Sequence, residues 1–331
     1  MSRFRSVLLL ATGVACAAPQ DAPRVAVTIP PGATLDAAVD SLTAHGVIRH
    51  AGGFAFYARV RGLGGALKSG DYLLPVDASW GEVVSTLERG HGIETRWTVP
   101  EGLMLTEVAT FAQTDLGVPR DSFLVAARDP ELRTQLGLPP QAASVEGYLY
   151  PTTYVLPRHV RARELVRVMV NEFLDQWQPE WAARLDSLRM TRHELVTLAS
   201  IVEAEVRYDP DRPFVSAVYH NRLRRGMRLE ADPTVIYAYG RRLKRVWEKN
   251  LAIASPYNTY LHAGLPPGPI GQPGRASMLA ALYPAPLPYL FFVAQPDGKH
   301  IFSVTLAQHE AAIRAVKQQR SEARARQPRD R

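Results

Sequence analysis

The chain has 331 residues, of which 46% are hydrophobic and 21% charged, so it is long enough for two modest domains and is not wholly disordered or fibrous. Its single cysteine excludes a disulfide framework and any zinc site that needs two thiolates. The net charge is +7, but most of it lies at the two ends, in Arg3, Arg5 and the arginine-rich segment 318–331. The body therefore lacks the concentrated basic surface that nucleic-acid binding requires.

Residues 1–18 have the pattern of an export signal. Arg3 and Arg5 precede an apolar run from Val7 that is too short to span a bilayer as a helix, and small residues follow it. Cys16 lies at that junction, where a lipoprotein signal would be cleaved and the cysteine acylated. Plain cleavage and an uncleaved membrane anchor are the alternatives, and all three predict an exported protein that faces the periplasm or cell wall.

The first segment, residues 24–92, predicts a compact β-α-α-β-α module. Val25–Ile29 alternates like a strand, Thr34 and Ser79 are placed to cap helices, a helix covers Phe54–Val60, and 69–74 reads as a turn and strand. The module contains no clustered acids, no histidine group and no glycine-rich loop. Its composition indicates a binding or spacer module rather than a catalytic one.

Residues 93–317 predict a larger mixed domain, so the fold class is α+β. A strand at 95–99 is followed by helices, and Thr191 with Glu194 forms a capping box that opens a helix reaching about Val206. Another helix spans 213–224, the stretch 227–295 is rich in Pro, Gly and Tyr, and a strand at 301–304 precedes a final helix to 317. The basic segment 318–331 is predicted to be disordered.

Several well-known catalytic sequences are absent. His193-Glu194 begins like a zinc-protease motif, but Thr197 stands where the second histidine must be. The chain contains no G-x-S-x-G, no S-x-x-K and no complete P-loop. These absences leave the carboxyl groups as the main candidates for chemistry, and neither a metal nor another cofactor is expected.

Glu203 and Glu205 lie near the end of the helix that begins after Thr191. Its apolar residues share one face, and the two glutamates project from opposite edges of that face, about 160° apart. They cannot act as a dyad on one substrate, so at most one of them is catalytic, and no second carboxylate is expected beside Glu203. A carboxyl at the edge of an apolar face can be partly desolvated, which raises its pKa and suits a general acid. From composition alone, two solvated glutamates are the simpler interpretation.

The segments that follow are dense in hydrogen-bonding side chains. Asn221 lies inside a helix, and Asp232, Tyr257, Asn258 and Tyr260 lie in irregular stretches between prolines and glycines. Tyrosine rings and amides on a rigid backbone suit the recognition of sugars, although locally bonded turns would have the same composition. We take these five residues as candidates for binding a glycan.

The order and spacing of several motifs resemble the YceG-like (MltG) endolytic murein transglycosylases. The motifs occupy 146–151, 198–203, 221–227, 232–237, 255–260, 264–270 and 302–309, and the resemblance covers about residues 25–315. It implies that 24–92 is a LysM-like module and that 93–317 is the catalytic domain. The family usually begins with a transmembrane helix, whereas this chain begins with a short signal-like segment. Val206 also departs from the threonine common at that position.

The resemblance implies an enzyme that cuts nascent peptidoglycan strands internally at the MurNAc–GlcNAc β-1,4 bond and leaves 1,6-anhydro-MurNAc ends. It places the catalytic glutamate at Glu203, which would donate a proton to the glycosidic oxygen and then accept one from the C6 hydroxyl. The implied partners are glycan strands, peptidoglycan synthases and, through the N-terminus, the bacterial membrane.

Two other functions stay open at this point. A hydrolase would use Glu203 together with Asp232 and a water molecule, so Asp232 would be as essential as Glu203. A non-catalytic cell-wall scaffold would bind glycan through its first module, and Glu203 would be dispensable.

Overall fold

The computed structural model describes residues 23–90, 92–243 and 245–326, and it combines helices with short antiparallel strands, as the α+β prediction requires. The strands are β1 (Arg24–Ile29), β2 (Gly70–Pro75), β3 (Glu94–Thr98), β4 (Thr153–Pro157), β5 (Phe291–Ala294) and β6 (His300–Ser303). They pair as β1-β2, β3-β4 and β5-β6.

The helices occupy most of the described chain. They are α1 (Leu35–Ala44), α2 (Ala51–Val60), α3 (Leu63–Ala66), α4 (Trp80–Arg89), α5 (Leu105–Leu116), α6 (Arg120–Arg128), α7 (Pro130–Gln135), α8 (Ala162–Gln176), α9 (Glu180–Leu188), α10 (Arg192–Glu205), α11 (Arg212–Arg224), α12 (Asp232–Ala238), α13 (Arg275–Leu282) and α14 (Leu306–Arg326). Short 3-10 turns lie at Asp209–Asp211 and Glu248–Ala252.

The chain divides into two compact units. The first comprises residues up to Arg96 together with Tyr154–His159, and the second comprises Trp97–Thr153 and Val160–Arg331. The first unit overlaps the predicted 24–92 module. It also includes Tyr154–His159, a segment that no local sequence pattern predicted to belong to it. The LysM-like character of this unit stays a prediction from the resemblance.

The first unit has its own core. Strands β1 and β2 are antiparallel with Val27 opposite Tyr72, and both side chains are fully buried. Phe54 of α2 is also buried and meets the Trp80 ring edge-on, with the ring centres 6.1 Å apart. The predicted caps are confirmed at Thr34, whose hydroxyl accepts from the Ala37 N–H, and at Ser79. A hydrophobic core plus both caps accounts for the stability of this small unit.

Helix α10 lies in the interior of the second unit. It packs against α11, α12 and α13, and its side chains from Leu195 to Val202 are buried. The predicted capping box is confirmed, since Thr191 accepts from the Glu194 N–H and Glu194 accepts from the Thr191 N–H. The helix ends at Glu205 because Val206 is extended. Both ends of α10 reach the surface, at Glu194 and at Ala204, and its C-terminal turn carries Glu203 and Glu205.

The predicted end of the last helix is wrong. Disorder was expected from Gln318, but α14 continues to Arg326. The Gln318 side chain donates to Glu322 one turn later, and the Arg320 guanidinium donates to the Ala294 carbonyl of β5. The segment is built from Ala, Arg, Gln and Glu, which are good helix formers, so its charge does not prevent a helix. Residues 327–331 lie outside the described chain.

The predicted export signal, residues 1–18, also lies outside the described residues. Within 23–90, 92–243 and 245–326, no helix has both the length and the apolar character needed to cross a membrane.

Candidate active site

The two glutamates at the end of α10 have separate sets of partners, as the helical geometry predicts. Oε2 of Glu203 accepts the Gly274 N–H at 3.0 Å and lies 3.1 Å from the Arg212 guanidinium. Oε1 of Glu205 accepts the Tyr219 hydroxyl at 3.0 Å. The two carboxyls therefore have different electrostatic environments, although only Ala204 separates them in the sequence.

Glu203 is held as one half of an enclosed ion pair. Its side chain is only 8% exposed and that of Arg212 only 9%. Arg212 also binds Asp209 at 3.1 Å and donates to the Ser277 hydroxyl of α13. Through these contacts the Arg212 side chain connects α11 with α10 and α13.

A second carboxyl lies beside Glu203, contrary to the expectation from sequence. Glu101 packs against the α-carbon of Gly274, at a place where a β-carbon would overlap its carboxyl oxygens. Burial, together with the charge of Glu203, raises the pKa of Glu101. Residue 101 is about a hundred positions away in the sequence, so helix periodicity could not have found it.

Glu205 lies in a different environment from Glu203. It is partly exposed, and burial raises its pKa to about 7. The hydrogen bond from Tyr219 acts against this shift, whereas the charge of Asp232 adds to it. The Tyr260 hydroxyl in turn donates to Oδ1 of Asp232 at 2.7 Å.

A small pocket opens beside Ala204, the residue between the two glutamates. One wall comes from Pro233 of α12, and another from Gly102 and Gly271. These two glycine segments meet closely, since a β-carbon on Gly271 would lie 3.2 Å from the Gly102 carbonyl oxygen. Arg242 lines the pocket and donates to that same carbonyl at 2.8 Å. Neither glutamate lines this recess, but its wall at Gly102 lies against the Glu203 side chain, since a β-carbon on Gly102 would be 3.5 Å from Cγ of Glu203.

The predicted glycan-binding residues divide into two groups. Asp232 and Tyr260 lie together beside Glu205, and both retain exposed surface. Tyr257 is half-buried against Tyr237, with the ring centres 4.7 Å apart. The structure places the two asparagines elsewhere.

Asn221 and Asn258 make hydrogen bonds within the fold. The Asn221 amide donates to the carbonyls of Leu287 and Tyr289, both at 2.8 Å, and its oxygen accepts from Arg224. Asn258 is fully buried, donates to two backbone carbonyls and accepts the N–H of Tyr260. Both N–H donors of each amide are therefore used to fix loops, and a role of either asparagine in glycan binding stays a prediction from the sequence.

Glu146 is a buried carboxyl that sequence reasoning did not assign to any role. Both of its oxygens accept the Leu105 N–H at the start of α5, and it also accepts from Tyr237 and Gln272. Burial raises the pKa of Glu146 to about 8, although the hydrogen bonds from Leu105 and Tyr237 oppose the rise. The next residue of the motif at 146–151, Gly147, is also required by the fold. It has a positive φ of 82°, and a β-carbon there would overlap Pro269 and Val196. Glu146 is therefore part of the scaffold.

Glu146 makes stability depend on pH. Its pKa is higher in the folded chain than the ordinary 4.5, so folding takes up a proton and stability is lost as pH rises from about 4.5 to about 8. We expect Glu146→Gln, which cannot ionise, to lose less stability than the wild type between pH 5 and pH 9, as measured by urea unfolding. Exposed Glu310 provides the control, and Glu310→Gln should keep the wild-type pH dependence. An unchanged pH dependence in Glu146→Gln would contradict this assignment.

A larger cleft, of about 740 Å³, contains neither glutamate and is lined in part by His193 and Pro267. One ring nitrogen of His193 lies 2.8 Å from the Tyr148 hydroxyl and the other 3.0 Å from the Pro267 carbonyl oxygen. The histidine of the zinc-protease-like sequence therefore binds structural partners. Among the described residues, no group of three or more His, Cys, Asp or Glu side chains is placed to hold a metal ion.

Comparison with known proteins agrees with this architecture. Residues 27–315 match the YceG-like family. The chain belongs to the YceG-like family. A relative from Bacillus subtilis (strain 168), named endolytic murein transglycosylase, is 30% identical over 302 residues, which cover 87% of this chain and 83% of the relative.

Two further members give the same picture. A pneumococcal relative (Streptococcus pneumoniae serotype 2, strain D39) with the same name is 28% identical over 87% of this chain, which spans 58% of that longer protein. A crystal structure of a YceG-like protein from Listeria monocytogenes superposes with a TM-score of 0.61 at 32% identity. The match covers 88% of this chain and all of that one. The family resemblance of the motifs is thus confirmed in sequence and in fold.

Proposed function

We propose that this chain is an endolytic murein transglycosylase that cleaves the MurNAc–GlcNAc β-1,4 bond within peptidoglycan strands and leaves 1,6-anhydro-MurNAc ends. Membership of the YceG-like family and the names of its relatives support the activity. The observation that carries it is the enclosed carboxyl of Glu203 at the end of α10, whose side chain lies against Gly102 in the wall of the small pocket. A carboxyl in this position can donate a proton to a glycosidic oxygen bound in the pocket.

We keep the general acid at Glu203, the residue that the family motif indicates. Its carboxyl accepts the Gly274 N–H and is paired with Arg212, so its position beside the pocket is fixed from two sides. Glu205 accepts the Tyr219 hydroxyl at the opposite edge of α10. The variants Glu203→Gln and Glu205→Gln distinguish the two carboxyls.

The proposed reaction needs one carboxyl that acts twice. Protonated Glu203 donates to the glycosidic oxygen as the C1–O bond breaks and an oxocarbenium-like centre develops on MurNAc. The resulting carboxylate accepts the proton of the C6 hydroxyl while O6 bonds to C1. The ring closes, the acid is regenerated and no water is consumed. Attack within one molecule also gains a large effective concentration over external water.

The hydrolase alternative needs Asp232 to act together with Glu203. In the structure the charge of Asp232 acts on Glu205 instead, and the Glu203 carboxylate is paired with Arg212. These contacts leave the proposed hydrolytic pair without a shared site, and they support the intramolecular reaction.

The products provide the direct test. We expect mass spectra of purified peptidoglycan after digestion to contain muropeptides lighter by one water than their reducing-end counterparts, with internal bonds cut. Reducing ends throughout would show a hydrolase, release of disaccharides alone would exclude internal cleavage, and intact strands would favour a scaffold.

Export and membrane attachment are proposed from residues 1–18, and peptidoglycan synthases are proposed as protein partners on the resemblance alone. If Cys16 is acylated, Cys16→Ser should move the protein from the membrane fraction to the soluble exported fraction. Fractionation of cells with an antibody against the chain would measure this. Unchanged membrane retention would indicate an uncleaved anchor, and wild-type protein in the cytosol would contradict export.

A further inference from the structure

We propose that the larger cleft of the second unit binds a peptide stem of the peptidoglycan strand, with Arg189 and Arg224 holding the free carboxylates of that peptide. The proposal rests on the proposed function, because that function supplies a substrate that carries such peptides. The cleft lies beside the first turn of α10, whereas Glu203 lies in the last turn. It is therefore a site that holds the strand and takes no part in breaking the bond.

The cleft has the size and the lining of a ligand site. Its volume of about 740 Å³ is in the range of small-molecule sites. It is bordered by the turn between α9 and α10, by the C-terminal part of α11 and by residues 264–267. Leu188, Met190 and Leu265 form apolar parts of its wall, and no Phe, Tyr or Trp is among the described residues that line it. Aliphatic walls suit the methyl and methylene groups of a peptide better than the face of a sugar ring.

Arg189 has a backbone conformation that favours glycine. It ends α9 with a φ of 56°, in the left-handed region, where a side chain costs conformational energy. The residue is exposed and lines the cleft, and among the described residues its guanidinium has no hydrogen bond or ion pair. A strained position that carries an unpaired charge at a cleft is typical of a binding residue.

Arg224 supplies a second cation, and the fold fixes its position. It lies at the end of α11, is exposed, and donates to the side-chain oxygen of Asn221. Asn221 is itself held by two backbone carbonyls, so one nitrogen of the guanidinium is anchored. Within the described chain, the other N–H groups of Arg224 have no acceptor. An arginine with free N–H groups can bind a carboxylate through two parallel hydrogen bonds.

A single acidic group completes the charges of the cleft. Oε2 of Glu194 accepts both the N–H and the hydroxyl of Thr191, whereas Oε1 has no partner in the part of the chain that the structure describes. Two cations and one carboxylate match a peptide stem, which carries free carboxylates and, at its diamino acid, an amine. A neutral sugar would leave these charges unmatched.

The cleft is within reach of a stem attached near the bond that is cut. Glu194 precedes Glu203 by nine positions in α10, which corresponds to about 14 Å along the helix axis. An extended peptide of about four or five residues spans roughly 13–18 Å. One loop also borders both places, since residues 264–267 line the cleft, Gly271 lines the small pocket and the Gly274 N–H binds Glu203. A strand bound at Glu203 can therefore place one of its stems in the cleft.

The test compares uncrosslinked glycan strands that carry their stems with the same strands after an amidase has removed the stems. Fluorescence anisotropy of labelled strands gives Kd for the full chain with Glu203→Gln, which should leave the strands uncut. Release of anhydro products by the chain with active Glu203 gives KM and kcat. We expect tighter binding of the stem-bearing strands. Arg189→Gly and Arg224→Ala should each raise Kd and KM for those strands about tenfold, leave kcat unchanged and leave the trimmed strands unaffected.

Arg225→Ala is the matched control. Arg225 follows Arg224 directly and is exposed, but it is not among the described residues that line the cleft. Its replacement removes the same charge from the same surface and should leave Kd and KM for both substrates unchanged. Arg189→Gly is not expected to lower the unfolding temperature, because glycine adopts a positive φ without strain. Thermal unfolding therefore checks that a loss of binding is not a loss of fold.

Several outcomes would overturn the proposal. Equal Kd values for stem-bearing and trimmed strands would show that the chain does not bind the stem. An equal loss with both substrates would give the two arginines a structural or glycan-binding role, and an equal loss in Arg225→Ala would show a general attraction of charges. Failure of the proposed function is distinguishable, since neither substrate would then yield anhydro products. The Kd values would still decide whether the cleft binds the stem.

Discussion

Replacing Glu203 by glutamine is expected to lower the rate of glycan cleavage by at least about 10²-fold, the lower end for loss of a general acid. The amide keeps the shape of the carboxyl and can still accept the Gly274 N–H through its oxygen, so the fold should survive. What it cannot do is supply a proton to the glycosidic oxygen or take one from the C6 hydroxyl. Release of anhydro muropeptides under single-turnover conditions measures the loss, and thermal unfolding checks the fold.

Glu205→Gln is the matched control for this experiment. It makes the same chemical change two residues away, on the opposite side of Ala204, where the carboxyl accepts the Tyr219 hydroxyl. We expect it to retain most of the activity when both variants are compared at a temperature where each is folded. A folded but inactive Glu205→Gln together with an active Glu203→Gln would identify Glu205 as the acid instead.

Loss of the enclosed ion pair is expected to destabilise the second unit by about 3–5 kcal/mol in the Arg212→Met variant. The substitution removes the guanidinium and leaves the Glu203 carboxylate, only 8% exposed, with the Gly274 N–H as its remaining described partner. It also removes the contacts to Asp209 and to the Ser277 hydroxyl. Denaturant unfolding measures the change.

The double variant Glu203→Gln/Arg212→Met shows how much of the lost stability comes from the ion pair and how much from lost packing of the two side chains. Because neither charge is then left unpaired, the double variant should be more stable than the sum of the two single changes predicts. An additive result would mean that the two groups do not stabilise each other. Arg242→Met serves as a control, since its pair with Glu107 is more exposed and should contribute about 1 kcal/mol or less.

The order of elements around the site was predictable from local patterns. The capping box at Thr191 fixes the start of α10, and the apolar periodicity fixes its buried face. From these follows the separation of Glu203 and Glu205 to opposite edges, which the structure confirms through their different partners. The motifs also predicted the family, since their order along the chain is itself a sequence property.

The roles of individual polar residues were less predictable. Asn221 and Asn258 have the residue type expected in a sugar site, but each binds backbone carbonyls inside the fold. Whether an amide faces a ligand or a loop depends on what the chain brings next to it. Glu101 was missed for the same reason, because it approaches Glu203 across about a hundred residues of sequence.

By itself the sequence determined the α+β class, the course of α10, the family and the two candidate glutamates, because these depend on periodicity, capping and residue order within short spans. Only the tertiary structure decided which groups surround each glutamate. Arg212 and Gly274 converge on one carboxyl, while Tyr219 and Asp232 act on the other. The protonation state of a carboxyl depends on burial and on charges a few ångströms away, and those neighbours are set by packing rather than by position in the sequence.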